Sequence, residues 1–474
     1  MQSATSSQEF VGLNSVQTHG FLPLDDPHRM ALHNEVHARP PARIRLPALI
    51  TYLAVLNQGV SRQQECDHLS ALPGQASLKI EQLQGNFVRL RLNGFSVKWE
   101  RHTEFTSYAI VQPMPAQAVL GIAEPDLLSA LAVPADWLAS IPGRTVAAVQ
   151  LTMLTAPLDD ATSLMAQAIT WLGERSLVAS LMGSNALSAT ELRPQTPDRH
   201  GYGHPIGHSW AVTQFQVRAD GFERMLVIAP EGTSQTRAGR IAGRLLELET
   251  YRLMALRGLP VAKTLGPMLA KAEADLVQIT AQLENKSASD QELLDTLVSL
   301  AVSVERATAE NVYRFSATQA YYALVNQRIK ELREKAIPGT QTIGEFMQRR
   351  LSPAMATVAA TEQRLISLSE RVARTSDLLR TRVDIVTEVQ NQQLLEKLTR
   401  GQELQLRLQS TVEGLSIAAI SYYVISLLLY GGKALKAAGL PINPEMLAGA
   451  LVPVVLWTVW RTTQKIHAKL QVTH

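Results

Sequence analysis

Residues 415–430 read LSIAAISYYVISLLLY and residues 446–460 read MLAGALVPVVLWTVW, sixteen and fifteen positions without one charged side chain. A helix that crosses a bilayer needs about 20 mostly apolar residues, so each run must recruit its flanks. Those flanks suit the task. Gly431, Gly432 and a snorkelling Lys433 extend the first run, and Trp457, Trp460 and Arg461 end the second in an aromatic and basic girdle. Eight Leu, Ile and Val residues in the first run favour insertion by about 2.5 to 5 kcal/mol, partly offset by three Ser and three Tyr. The reading is a transmembrane hairpin at 414–474 with helices at about 415–432 and 444–461, turned by Pro441 and Pro444. The alternative is a hairpin buried inside a globule, since neither run reaches 18 residues.

Lipid bilayer is therefore the first expected partner. Arg400, Arg407, Arg461, Lys465 and Lys469 flank the outer ends against Lys433 and Lys436 in the turn, which places both termini in the cytoplasm. The opening MQSATSSQEF has neither the basic start nor the apolar run of a secretory signal and agrees with that side. Tyr422, Ser426 and Tyr430 recur at i, i+4 and i+8, with Ser416 and Ser421 nearby. Such a hydroxyl stripe either bonds helix to helix in lipid or lines a water path.

Upstream of the hairpin no proline occurs from Ala354 to Leu440, and Val358, Leu365, Val372, Leu379 and Val386 repeat every seven residues. The companion positions Thr361, Leu368, Thr375, Arg382 and Val389 are only partly apolar, so this is half a coiled-coil seam. It fits a helix packed on the helix predicted at 289–335, or an intermolecular coiled coil in a homo-oligomer. Two further helices are expected, one at 233–258 ended by Gly258 with Pro260 beyond, one at about 265–284. Thr342 and Glu345 have capping-box spacing, and Ser352-Pro353 offers an N-cap and a first-turn proline. Residues 231–413 thus read as a helical stalk.

Residues 42–230 alternate short β-rich runs with short helical ones. Strands are expected at 44–56, 86–92, 95–101, 104–111, 145–155, 208–218 and 222–228. Asn93-Gly94 and Asp220-Gly221 mark type I′ hairpins, so the sheet is antiparallel or mixed. The fold class is α+β: a cytosolic sheet domain behind a capping tail at 1–41, then the stalk, then the membrane hairpin.

Composition bounds the chemistry. In 474 residues, apolar types reach 46% and charged types 18%, below the roughly 25% of average soluble domains, which excludes a disordered tail protein. Lys plus Arg is 45 and Asp plus Glu 42, a net of +3, so nucleic acid is not an expected partner. A single cysteine, Cys66, excludes an intrachain disulfide framework and a multi-thiolate zinc site.

Three clusters carry ligand-type side chains. Asp26 and Pro27 read as the start of a helix over DPHRMALHNEVHARPP (26–41), which puts His33 and His37 on one face and Glu35 on another. Were the segment extended, His33, Glu35 and His37 would share a face and could ligate a metal; otherwise it is a hydrogen-bonded cap. His200, His204 and His208 sit in a Gly-rich loop, and Arg237, Arg240 and Arg244 form a basic stripe for phosphate or a solvated helix face. No P-loop, dinucleotide fingerprint or nucleophile elbow occurs, and no cofactor is indicated.

HRMALHNEVHARPP (28–41) together with VEGLSIAAISYYV (412–424) resembles a bacterial family of predicted membrane-anchored proteins, catalogued as a domain of unknown function. The resemblance implies an inner-membrane location and no catalytic activity. The order of elements is also similar to that of CorA-type magnesium transporters, although Tyr430-Gly431-Gly432-Lys433 stands where those carry Gly-Met-Asn. The expected function is a membrane-anchored, cytosol-facing, non-enzymatic sensor or scaffold. The alternatives are an oligomeric CorA-like cation channel or transporter and a metal-dependent enzyme using His33, Glu35 and His37.

Overall fold

The computed structural model describes residues 26, 28–29, 32–33, 42–75, 78–157, 161–173, 178–183, 208–285, 289–439 and 443–471. In chain order the elements are β1 Ala48–Leu56, α1 Arg62–Ser70, β2 Phe87–Leu92, β3 Phe95–Arg101, β4 Phe105–Pro113, α2 Ala135–Ala139, β5 Arg144–Thr155, α3 Ala161–Leu172, β6 Val178–Gly183, β7 His208–Val217 and β8 Glu223–Ala229. There follow α4 Gln235–Leu256, α5 Gly258–Asn285, α6 Asp290–Leu332, β9 Glu334–Ala336, α7 Ile343–Arg350, α8 Ser352–Ala437 and α9 Pro444–Gln471. The fold is α+β, as the sequence implies. The chain divides into two compact units, Met1–Gln278 with Ser299–Val372, and Ile279–Val298 with Ala373–His474.

The first unit is built on one mixed nine-stranded sheet in the order β2-β3-β4-β1-β5-β8-β7-β6-β9. β5 and β8 pair in parallel and the other named pairs are antiparallel. The central strand β1, ALITYLAVL, is buried over its first eight residues because both sheet faces are covered, and strands so placed read as continuous apolar runs. Edge strand β2 alternates Arg89 and Arg91 with apolar residues and stays half-exposed. Both predicted hairpins form, but only the glycines take positive φ, Gly94 at 86° and Gly221 at 84°. Asn93 and Asp220 keep negative φ, so the turns are not type I′; Asp220 Oδ1 instead accepts the Phe222 N–H at 2.9 Å.

Alternation along β1 sends Leu49, Leu53 and Val55 to one face and Ile50 and Tyr52 to the other. The first face holds two clusters, one around Trp171 and Leu164 of α3, the other around Trp99, Tyr108 and Trp137. Trp137 Nε1 donates to the His68 carbonyl at 3.0 Å and Trp171 Nε1 to that of Ala118 at 3.3 Å, so each indole is buried with its polar end satisfied. Helix α4 lies on the second face, seated by a close approach at Gly239, where a Cβ would stand 1.5 Å from the Ala42 carbonyl oxygen.

Two expectations need correction. Gly258 does not end a helix; it begins α5, and Pro260 falls in that helix's first turn, where the missing N–H has no intrahelical partner to lose. Residues 334–336, expected as the end of a helix, form β9 and pair with β6, itself unannounced by the sequence reading. The predicted helix starts at Thr342 and Ser352 do form, with Thr342 and Glu345 closing both capping-box bonds at 3.1 Å.

In the first unit the seam Val358, Leu365, Leu368 and Val372 is buried, and Arg364 bridges to Glu273 of α5 at 2.8 Å. In the second unit Leu379 closes the seam and Arg382 meets the Leu283 carbonyl and Asp290, at 2.8 and 3.2 Å. Packing within the chain ends there: Val386 and Val389 are exposed, and no residue from 384 to 412 is buried. Further on, α8 and α9 pack through small residues, with buried Gly432 against Pro444, and with Ser421, Ala448 and Val455 buried.

Candidate functional site

A cavity of about 580 Å³ lies inside the first unit between the sheet and α4, with α6 at its rim. Side-chain size explains it. Along α4, Gly239, Ala242, Gly243 and Leu246 form one stripe at helical spacing, and a Cβ on Gly243 would have no atom within 4 Å. The facing strand β4 offers Ser107 and Ala109, so neither wall fills the gap. Native interiors are otherwise close-packed, which makes a void of this size a feature of the sequence at these positions.

Chemistry enters from three directions. On β3, alternation brings Lys98 and Glu100 to the cavity face, followed by His102 in the turn. Lys98 Nζ lies 2.6 Å from Glu100, and His102 Nε2 lies 3.8 Å from the same carboxylate. From the helices, Arg328 Nε reaches Glu247 at 2.5 Å and its Nη1 reaches Glu331 at 2.9 Å, while Arg244 Nε sits 3.4 Å from Glu331. This ladder ties α4 to α6 by partly buried, charge-assisted bonds. From β1, the Tyr52 hydroxyl meets Thr250 Oγ1 at 2.9 Å. Burial pushes the Tyr52 phenol far up and the Tyr251 phenol up to about 12, with Glu247 adding to the latter, so both stay protonated at neutral pH.

A neighbouring space of about 480 Å³ shares His102, Phe105, Tyr251 and Leu324 with the first, and Arg62 and Arg101 stand on its far side. What this arrangement can do is bind. Ser107, a hydroxyl in the cavity wall, donates to the Glu100 backbone carbonyl at 3.5 Å rather than to an imidazole. Cys66 is buried, its thiol pushed up by burial and then by Asp67, the character of a structural cysteine.

Behind the cavity, Arg252 Nε meets Glu249 at 2.8 Å and its Nη2 lies 3.8 Å from Glu223, both carboxylates being buried. Burial and the Glu249 charge push Glu223 well above the usual carboxylate range.

Of the residues singled out from sequence, Arg240 and Arg244 line the cavity, and Arg237 is buried; the stripe is not a solvated face. Asp26 Oδ1 caps the His28 N–H at 2.7 Å, and His33 is exposed on the turn that follows. Glu35 and His37 lie outside the described residues, as do His200 and His204. Among the described residues no three His, Cys, Asp or Glu side chains gather as a metal site. Tyr422 and Tyr430 are exposed and Ser426 half-exposed, while Ser421 is the hydroxyl in the helix seam. Sequence reading missed Tyr52, Lys98, Glu100 and His102; a period-two row of titratable groups after the Asn93-Gly94 turn was the available signal.

Two helices, α8 near its end and α9, are long and apolar enough to cross a membrane, and only 6% and 11% of their apolar windows are buried. A family described as "Protein of unknown function (DUF3422)" matches residues 24–470. No curated protein and no solved structure matches the chain, so the likeness to CorA-type transporters rests on element order alone.

Proposed function

The chain belongs to this DUF3422 family, which carries no activity to inherit, and we propose that it is a membrane-anchored, cytosol-facing, non-enzymatic sensor. In this reading α8 and α9 hold it in the bacterial inner membrane, and the cavity of the sheet unit is the ligand site. One observation carries the anchor: the longest apolar stretches of the chain are almost unburied, at 6% and 11% of their windows. Leu415, Leu427 and Met446 are 70–77% exposed. Leaving a Leu or Met side chain in water forgoes about 1.5–3 kcal/mol each, which hydrocarbon would restore. The excess of Arg and Lys outside the hairpin supports the cytosolic side. The test is fractionation of cells expressing the full chain, followed by alkaline carbonate washing. Retention in the membrane pellet supports the anchor; recovery in the supernatant without detergent refutes it.

A second reading, an oligomeric CorA-like cation channel, draws on the stripe of Tyr422, Ser426 and Tyr430, whose two phenols lie outside the α8–α9 seam. Lys433, whose Nζ stands 5.8 Å from the Tyr430 ring centroid, opposes cation entry. Subunit stoichiometry in lipid nanodiscs decides, because a monomer cannot enclose such a pore. The third reading, a metal-dependent enzyme through His33, Glu35 and His37, stands or falls on stoichiometric transition metal in the purified full chain.

A further inference from the structure

We propose that the exposed stripe of α8 between Leu394 and Val412 is covered by the same stripe of a second copy of this chain, the two helices forming a parallel coiled coil directly before the apolar run at 415–430. The proposal takes one premise from the preceding reading, that all copies enter one bilayer in one direction, which makes the pairing parallel. It moves the self-association surface away from the repeat at Val358 to Leu379, which is buried inside the chain, to a stretch in which no residue is buried.

The pattern comes first. Positions 394, 398, 401, 405, 408 and 412 follow one another at alternating steps of four and three, the spacing of a coiled-coil seam, and hold Leu, Leu, Gly, Gln, Leu and Val. None of the six is charged. Of the five charged residues between 391 and 412, Glu396, Arg400, Glu403 and Arg407 fall on the opposite side of the helix, and Lys397 stands beside the seam. Leu395 and Leu404 flank the seam, and of the leucines in this stretch Leu406 alone lies outside it. The four apolar seam residues are 58–67% exposed.

Area and chemistry then select the occupant. Covering the seam and its two flanking leucines on both copies, at roughly 100 Å² for each of the apolar side chains, removes on the order of 1,000 Å² from water, the size a specific interface must reach. Gln405 carries both a donor and an acceptor, so it pairs with its own copy in register, the role a polar residue plays in such a seam. Lipid is the poorer occupant for two reasons. Helix α8 runs unbroken from Ser352 to Ala437, so the stripe is collinear with the run at 415–430 and does not lie in the plane of a bilayer which that run crosses. Its polar side mixes two Glu with two Arg, whereas interfacial helices carry a basic one.

The test uses the full chain, in whichever fraction of lysed cells holds it, so that the result does not depend on the anchor. Leu394→Cys, Leu398→Cys and Val412→Cys on the seam, and Glu403→Cys on the opposite side, are oxidised with copper phenanthroline, with wild type, whose Cys66 is buried, as the blank. None of these positions is buried within the chain, so the variants keep its fold. Each seam variant is expected to give at least tenfold more disulfide-linked dimer than Glu403→Cys. Linkage at both Leu394→Cys and Val412→Cys requires parallel pairing, because in an antiparallel pair only positions near the midpoint meet their own copy within disulfide reach. In mild detergent, light scattering is expected to find at least two wild-type chains per particle, one chain for Leu398→Glu combined with Leu408→Glu, and no change for Glu403→Gln. A wild-type monomer, equal linkage on both sides of the helix, or an oligomer untouched by the paired glutamates overturns the proposal. So does a Leu398→Cys thiol that stays unlinked and is shielded from a water-soluble maleimide by membranes alone, which assigns the stripe to lipid. Linkage at one seam position only overturns the parallel arrangement, and parallel linkage in the soluble fraction supports the pair while refuting the anchor.

Discussion

Leu365 and Leu398 stand on the same helix, α8, yet one is 2% exposed and the other 58%. Leu365 belongs to the first unit, where the seam from Val358 to Val372 finds partners in its own chain. Leu398 belongs to the second, where Leu394, Leu395, Leu404, Leu406 and Leu408 are all exposed as well. The helix does not change its propensity between the two; it changes its surroundings. Helix formation is local, while burial needs a partner surface, and around Leu398 the described residues of the second unit supply none, although Leu379 nearer the start of that unit is buried. The second unit leaves apolar surface exposed that the first unit covers.

The largest test of that contrast places charge in the hairpin. Leu428→Lys combined with Val454→Lys should cost about 5–7 kcal/mol of insertion and move the full chain from the membrane pellet to the soluble or aggregated fraction; a pellet unchanged by both would break the distinction. Next, Trp99→Ala, which empties a fully buried site, should destabilise the first unit by about 3–5 kcal/mol in denaturant unfolding. Paired leucine truncations sharpen the comparison directly. Leu365→Ala should cost about 2–5 kcal/mol and Leu398→Ala less than about 0.5 kcal/mol, unless an unseen partner covers the latter.

Smaller effects probe the sheet unit's wiring. Gly239→Ala must push the Ala42 carbonyl aside and should lose about 1–3 kcal/mol, whereas Gly243→Ala meets nothing and should gain about 0.5–1 kcal/mol of helix propensity. The pair is read by thermal unfolding, and equal shifts would mean that α4 is not seated at Gly239. Finally, burial against Trp137 pushes His68 down to about 4, and its Nε2 has no hydrogen-bond partner among the described residues. A depressed base must be protonated on unfolding, so stability falls as pH drops from 6.5 toward 4. His68→Gln should flatten that acid limb. Glu223 acts with the opposite sign: its carboxyl is raised, stability is lost as pH climbs above the ordinary carboxylate range, and Glu223→Gln should remove that loss.

How much of this was legible in the residues follows from range. The two apolar runs, the Asn93-Gly94 and Asp220-Gly221 hairpins and the Thr342–Glu345 capping box are signals within a few positions, and each stands where the sequence put it. The hairpins' turn type was misread because Asx bonding holds the aspartate turn with one positive φ instead of two. The cavity was half visible: Arg240 and Arg244 were singled out, but as a stripe for phosphate or a solvated face, since nothing local tells whether α4 turns them to water or to a sheet.

By itself the sequence determined most helices, the hairpins and the two apolar runs long enough to cross a membrane, because these depend on backbone preference and on the periodicity of neighbouring side chains. Only the tertiary structure decided that β9 joins β6 across about 150 residues, that β5 runs parallel to β8, and that Tyr52, Glu100, Arg244 and Arg328 enclose one space. The reason is physical. A strand of three residues has no local stability to announce it, and a cavity is the mismatch of two walls distant in the chain, so neither exists until the sheet and its helices meet.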